Sequence, residues 1–471
     1  LRNKAGTSAM LALRTDLYSS REWCQREVVI AKTHGMPVIM MDAIGIGEER
    51  GSFLMDHVPR IAVRKANGRW QPPDVYRALN LLVDDCLKRA LWMHQKDLAH
   101  KRPELDVAWW APHAPEPLTL SRWIDFYLAQ SGDDGSDETV RILHPDPPLG
   151  PEERDVLMNY ARTTRLGREI DIMTPRQLAT RRGSMSAEQN RTDLLPADML
   201  HGKQLGLSIS DSPDLDRLGL LDAHFRMTLG ELARTVIIAG GTLYYGGHLQ
   251  PGGITNFLIE ELHRYGRRDR PLKVCLAWTV HRGMTPEQIA EQKDLLGLFG
   301  EIHFLSPDGD RLDGPVDEPV ISNPPADERA RSLTGLRSHM TANTSALIVI
   351  GGKRTGFQGC MPGILEEILF ALERRQPLYV AGGFGGAALD AIRTLRSGYA
   401  EWFPPAQNAS VPDEQLLKGL KRIEEAVAAA QWDGFDNGLS ENENRLLAAS
   451  YRPSEIAALV GKGMGRMLSP D

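Results

Sequence analysis

The chain has 471 residues, more than one core accommodates, which points to two to four domains. Its 42% hydrophobic and 25% charged residues are those of ordinary globular protein, and its net charge of −7 lacks the basic excess of a non-specific nucleic-acid binder. Four scattered cysteines, Cys24, Cys86, Cys275 and Cys360, form no CxxC pair, and no run approaches the roughly eighteen apolar residues of a membrane helix. Neither a metal site, a disulfide framework, a signal peptide nor an anchor is therefore expected, and a reducing cytoplasm fits, with nucleic acid and membrane excluded as partners.

Leu1 to Gly6 reads as the tail of a helix already under way, as though the start were missing. Leu11 to Thr15 reads as a strand end and Asp16 to Ser20 as a turn, with Ser19 and Glu22 at the spacing of a capping box. Trp23, Glu27 and Ala31 recur at intervals of four and share a helix face, which Gly35 and Pro37 bring to a stop. Pro37 to Ala43 is a continuous apolar run, as in a parallel strand covered on both faces. This places one carboxylate, Glu27, on an apolar stripe, where the plain alternative is a surface acid paired with a neighbour such as Arg26. Ile61 to Arg64 is expected as the next strand, and Val75 to Trp92 as a covering helix that closes the domain near Lys101.

Tyr18, Ser20, Trp23, Cys24 and Glu27, with the apolar strand that follows, resemble the third strand and helix of Toll/interleukin-1 receptor (TIR) domains, especially bacterial ones that cleave NAD. The resemblance covers roughly the first hundred residues and implies a partial flavodoxin-like fold that lacks the family's first two strands. It implies that Glu27 is catalytic, that Tyr18 and Trp23 line the substrate pocket, and that NAD is substrate, with no cofactor. A single carboxylate suffices for this chemistry. Nicotinamide leaves as a neutral ring from a cationic nitrogen and needs no proton, unlike the sugar oxygen of a glycoside. A desolvated glutamate would stabilise the oxocarbenium-like ribosyl cation. Cys24 is read as a core residue.

Residues 105–181 alternate again, with strands at Leu105–Trp110, Thr139–His144 and Glu169–Met173 and helices at Leu118–Gln130 and Pro151–Thr163, a small α/β unit without a site. Arg182 to Asn190 has linker composition. From Leu205 to Ser397, four strands are expected at Leu205–Ile209, Thr242–Tyr245, Ala346–Ile350 and Leu378–Ala381. The first ends at Ser210, and the other three end in glycine pairs: Gly246 and Gly247, Gly351 and Gly352, Gly382 and Gly383. A loop with Gly252 and Gly253 follows the first pair, and Lys353 and Arg354 follow the second. Strand ends of this kind line the ligand crevice of a doubly wound sheet, where glycine admits phosphate to the backbone. With no GxGxxG and no GxxxxGK[ST], neither dinucleotide redox chemistry nor a P-loop is supported.

LSISDS, GGTLYYGG, and IVIGG followed by GILEE resemble the SLOG superfamily, a Rossmann-like group that includes cytokinin-activating phosphoribohydrolases and nucleotide sensors of bacterial conflict systems. Against the hydrolase motif PGGxGTxxE, Gly359, Cys360 and Met361 stand in place of PGG and Ile364 replaces the threonine, so the resemblance implies a sensor pocket in which Glu366 and Glu367 hold ribose hydroxyls or simply face solvent. From Pro412 onward the pattern is helical, with a capping box at Ser440 and Glu443. The expected architecture is multi-domain α/β: a TIR-like domain over 1–101, a small α/β unit over 105–181, a doubly wound SLOG-like domain over 205–400 and a helical extension over 412–471. Together the two resemblances imply an NAD-cleaving anti-phage effector governed by a nucleotide-derived signal through homo-oligomer assembly. The alternatives are a non-catalytic TIR scaffold and a nucleotide hydrolase acting through Glu366.

Overall fold

The computed structural model describes residues 9–33, 36–45, 58–101, 107–131, 139–164, 166, 169–178, 200–247, 253–265, 269–316, 320–321, 323–401, 413–430 and 434–468. The expected helix tail at Leu1–Gly6, the linker at Arg182–Asn190 and Gly252 lie outside them. The chain divides into two compact units, Leu1–Met185 with Arg217–Leu220, and Ser186–Asp216 with Leu221–Asp471.

In the first unit, strands β1 (Met10–Arg14), β2 (Val38–Asp42) and β3 (Arg60–Ala62) form a parallel sheet in that order. The apolar run behaves as expected. Val38 and Met40 of β2 pack with Val28 and Ala31 of helix α1 (Glu22–Thr33), while Ile39 and Met41 pack with Ala78 of α2 (Pro72–His100). Helix α1 begins at Glu22, three residues after Ser19, so the capping box expected there does not form; the Ser19 carbonyl instead accepts from Gln25 Nε2 at 2.7 Å. Between β3 and α2 lies a hairpin, β4 (Lys65–Ala66) and β5 (Arg69–Trp70), turned by Asn67 and Gly68 at φ 52° and 74°, the left-handed pair that an Asn-Gly turn supplies.

A second parallel sheet in this unit runs β6 (Trp109–Trp110), β7 (Val140–Leu143), β8 (Ile170–Met173), with α3 (Pro117–Ser131) and α4 (Pro151–Thr163) packed through Leu120, Ile124, Leu157 and Ala161. Trp109 stacks on Trp123 with centroids 5.2 Å apart, so these rings belong to the core.

The second unit is built on a seven-stranded sheet in the order β13-β12-β11-β10-β9-β14-β15. Its strands are β9 (Gln204–Ser210), β10 (Thr242–Gly246), β11 (Leu272–Leu276), β12 (Gly300–Leu305), β13 (Arg311–Leu312), β14 (Ala346–Gly351) and β15 (Leu378–Ala381). All but β13 are parallel. The chain winds outward from β9 to β12 and then returns to β14 on the other side of β9. That reversal makes a doubly wound, Rossmann-like sheet with its switch point between β9 and β14. The strands expected from apolar runs are present, and β11 and β12 add to them.

The helices of this unit are α5 (Asp222–Ile238), α6 (Ile254–Tyr265), α7 (Trp278–His281), α8 (Pro286–Leu296), α9 (Ala326–Ala342), α10 (Gly363–Glu373), α11 (Gly386–Leu395), α12 (Glu414–Ala429), α13 (Glu441–Ala449) and α14 (Pro453–Leu468). The last three are part of this unit. Helix α12 packs on α10 and α11, α13 on β15, and α14 on α5. Asn437, just before α13, donates from Nδ2 to the Leu378 carbonyl at 2.8 Å, and its own carbonyl accepts from the Tyr379 hydroxyl at 2.6 Å, which covers the edge strand β15. Ser440 caps α13, with Glu443 Oε2 returning to the Ser440 N–H at 2.9 Å, as the capping box predicts.

One buried charge fixes the start of α2. Asp74 accepts from the Arg64 N–H at 3.0 Å, from Arg64 Nη2 at 2.9 Å and from Arg77 Nη1 at 3.2 Å. The Arg64 hydrogen bonds hold its carboxyl below the usual carboxylate range. A depressed folded pKa contributes stability that is complete above the unfolded value of about 4 and is lost as pH falls through the folded value. Asp74→Ala is expected to destabilise the first unit by about 3 kcal/mol at neutral pH. Urea unfolding checks this: the difference from wild type should shrink on acidification through the carboxylate range, and a pH-independent difference would contradict an electrostatic origin.

Candidate functional site

In the first unit, Glu27 lines a cavity of about 360 Å³ with Tyr18, Ile30, Ala31, Met36 and residues of β1. The helical spacing from Glu27 to Ala31 and the turn before α1 bring these groups together. Among the described residues the buried Tyr18 hydroxyl has no hydrogen-bond partner, and its pKa is pushed up to about 12 by burial, with Cys24 and Glu27 adding to the shift. Trp23 does not join them. It is 62% exposed, with the Arg26 guanidinium 5.3 Å from its ring centroid, so its expected place in the pocket is corrected to the outer surface. Arg26 forms its ion pair with Glu22 at 2.5 Å rather than with Glu27.

In the second unit, the carboxyl ends of β9 and β14 meet where Ser210 pairs with Gly351 in register. Gly351 and Gly352 have φ of 70° and 105°, and a Cβ on Gly351 would stand 2.5 Å from the Ser210 carbonyl oxygen. The Gly352 N–H donates to that same oxygen at 3.0 Å. These two glycines therefore let the backbone turn sharply out of the sheet at the switch point. Beyond β9, Asp214 is buried, and its Oδ2 accepts from the Gly386 N–H at 2.8 Å and from Arg354 Nη1 at 2.7 Å. Arg354 also grips Asp390 through Nε at 2.6 Å and Nη2 at 3.0 Å. Asp214 thus occupies the anion position at the amino terminus of α11, and Arg354 is spent on bracing.

Lys353 differs from its neighbour. Its side chain is 54% exposed, and its nearest carboxylate in an ion pair is Asp211, at 4.0 Å. Tyr245, at the end of β10, lies over Gly247, where a Cβ would meet the ring at 2.3 Å, and its pKa is raised by burial and by the charges of Glu367 and Asp211. Glu367 is 8% exposed, and burial pushes its carboxyl up to about 7, opposed by Arg337 and assisted by Glu366. Near neutral pH such a group can either donate or accept a hydrogen bond, which suits a ribose hydroxyl. Lys353 and Asp211 thus meet beside the Ser210–Gly351 register pair, and Tyr245 is buried close enough to Glu367 and Asp211 to sense their charges.

Several expected site residues have other duties. Glu366 is 4% exposed and does not face solvent; Oε1 accepts from Thr334 at 2.8 Å and Oε2 from Arg337 at 2.5 Å, which fastens α10 to α9. A Cβ on Gly246 would meet Met340 Sδ at 2.5 Å. On Gly382 it would meet the Ala448 carbonyl oxygen at 2.7 Å, and on Gly383 that of Ser450 at 2.2 Å, so these three glycines serve close helix packing. The Gly253 carbonyl accepts from the Phe257 N–H at 3.2 Å in the first turn of α6. Tyr245 was passed over because GGTLYYGG was read for its glycines, and Asp214 because it lies outside any motif; an acid two to four residues past the central strand is the signal that would have drawn notice to Asp214. Among the described residues one cluster of metal-ligating side chains exists, Cys275, His303 and His339.

A family model described as LD_cluster2, SLOG cluster2, matches residues 199–447, more than half of the chain and including α12 and most of α13. No curated protein matches the chain.

Packing and ligand roles of the glycines separate experimentally. Gly383→Ala forces a methyl group against the Ser450 carbonyl and is expected to destabilise the second unit by about 3 kcal/mol. Thermal unfolding that is unchanged in this variant would remove the packing role.

Proposed function

Because the chain belongs to the SLOG cluster2 family through residues 199–447, we propose that its second unit is a sensor for a nucleotide-derived signal, and that its first unit is a TIR-type NAD glycohydrolase under that sensor's control. The family implies a nucleotide-binding or sensor role. The observation that carries the sensor reading is the β9/β14 switch point, where the backbone turns sharply at Gly351 and Gly352 and presents the exposed Lys353 directly after them. Lys353 meets a phosphate of the nucleotide there. Hydrolysis in this unit is not favoured, since Thr334 and Arg337 hold the carboxylate oxygens of Glu366.

The effector reading is supported by the shared cavity of Glu27 and Tyr18. A space of about 360 Å³ suits the nicotinamide riboside end of NAD. There the Glu27 carboxylate stabilises the ribosyl cation as neutral nicotinamide departs, and the unpartnered Tyr18 hydroxyl donates to the ribose or the carboxamide. Water then attacks the anomeric carbon and gives up a proton to solvent, leaving ADP-ribose. Such an enzyme would deplete a cell's NAD, which fits a cytoplasmic anti-phage effector that becomes active on assembly of several copies when the signal binds.

Glu27→Gln is expected to cut nicotinamide release at least about 100-fold while leaving nucleotide binding by the second unit unchanged. Undiminished release removes the catalytic role of Glu27, and a wild-type chain that cleaves no NAD with any nucleotide added favours a non-catalytic scaffold. Lys353→Ala is expected to weaken nucleotide affinity about ten-fold without a change in melting temperature; calorimetry giving equal affinities would place the phosphate elsewhere.

A further inference from the structure

Cys275 on β11 and His303 on β12 are register partners on adjacent parallel strands, so their side chains leave the same face of the sheet. Helix α9 contributes His339, and one donor atom from each of the three residues lies within 4.8 Å of the other two. The three are far apart in sequence, and no spacing rule connects them.

The hydrogen bonding shows what these groups lack. Among the described residues, Nδ1 of His303 and Nε2 of His339 are buried without a partner. Leaving a buried polar nitrogen unsatisfied costs about 1–3 kcal/mol, and here two such atoms stand beside a fully buried thiol. Each histidine has its second ring nitrogen fixed. His303 Nε2 lies 2.6 Å from Glu301 Oε1, and Lys273 and Arg311 steady that carboxylate at 3.2 and 3.4 Å. His339 is hydrogen-bonded to the backbone of Gly309. A carboxylate or carbonyl behind each imidazole is the usual outer shell of a metal-binding histidine, since it sets the tautomer and aims the free nitrogen at the ion.

We propose that Cys275, His303 and His339 bind one Zn²⁺ through Sγ, Nδ1 and Nε2, with water in the fourth position of a tetrahedron. Thiolate and imidazole donors suit zinc and exclude magnesium and calcium, which take oxygen ligands. Tetrahedral zinc holds such donors roughly 3.3–3.6 Å apart, so a small inward movement from the observed spacing closes the site. Binding displaces the thiol proton to solvent, and burial already keeps both imidazoles in the neutral form that ligates. The consequence for the fold is that the ion pins α9 to β11 and β12. Two residues before His339, Arg337 holds Glu366, so the metal fixes the helix that positions the start of α10.

The full chain, stripped of metal and titrated with Co²⁺, tests this directly. One equivalent should give the strong visible bands of tetrahedral cobalt and a near-ultraviolet thiolate-to-cobalt band, both abolished by added Zn²⁺, and Zn²⁺ should raise the melting temperature. Cys275→Ser should lose the thiolate band, and Glu301→Gln should keep it while weakening affinity about 10–100-fold. His339→Ala, at a half-buried position on α9, provides a second ligand variant should the core serine substitution fail to fold; its affinity should fall at least about ten-fold. A wild-type spectrum without a thiolate band, or spectra and affinities unaltered in these variants, would overturn the assignment and mark any bound metal as adventitious.

Discussion

The carboxyl edge of the second unit depends on one buried charge, Asp214, whose carboxylate holds the first N–H of α11 and the guanidinium of Arg354 together. Arg354 passes the constraint on to Asp390 within α11, so β9, the loop after β14 and the helix after β15 become one rigid assembly. A helix amino terminus attracts anions. Here the protein supplies its own anion, and that decides where a ligand can go. The start of α11 is closed to a phosphate, and the proposed nucleotide site lies instead beside Lys353, whose side chain is exposed.

The glycine pairs show how far sequence could lead. That three strands would end in such pairs was readable, because a fully buried parallel strand is a short unbroken apolar run and glycine ends it visibly. What each pair does was not. Gly351 and Gly352 turn the chain at the crevice, whereas Gly382 and Gly383 allow the backbone at Ala448 and Ser450 to approach, and Gly246 admits Met340. A ligand phosphate and a neighbouring backbone both demand the absence of a Cβ, so the two uses look identical in one dimension. Glu366 presented the same ambiguity, and its partners Thr334 and Arg337 lie on a different helix.

In the first unit the alternation of strand and helix was legible, and so was the placement of Glu27 beside the core. The direction of Trp23 was not, since the residue shares the Glu27 face by spacing yet sits a turn closer to the helix start, where its ring stacks under Arg26 in solvent. The metal ligands were invisible for a simpler reason: cysteine spacing reports only sites made within one segment, and Cys275, His303 and His339 meet through sheet register and helix packing. Buried nitrogens without partners appear only once the chain is folded.

A nucleotide is expected to bind at the β9/β14 switch point on the side away from Asp214. Hydrogen exchange of the full chain, followed with and without a panel of nucleotides that includes ADP-ribose and its cyclic form, tests it most directly. Protection concentrated at Ser210 to Ser212, Tyr245 to Gly247, Gly352 to Arg354 and the start of α10 is the predicted result. Protection confined to the region of Gly382 to Ala387, or none in the second unit with any nucleotide, would contradict it.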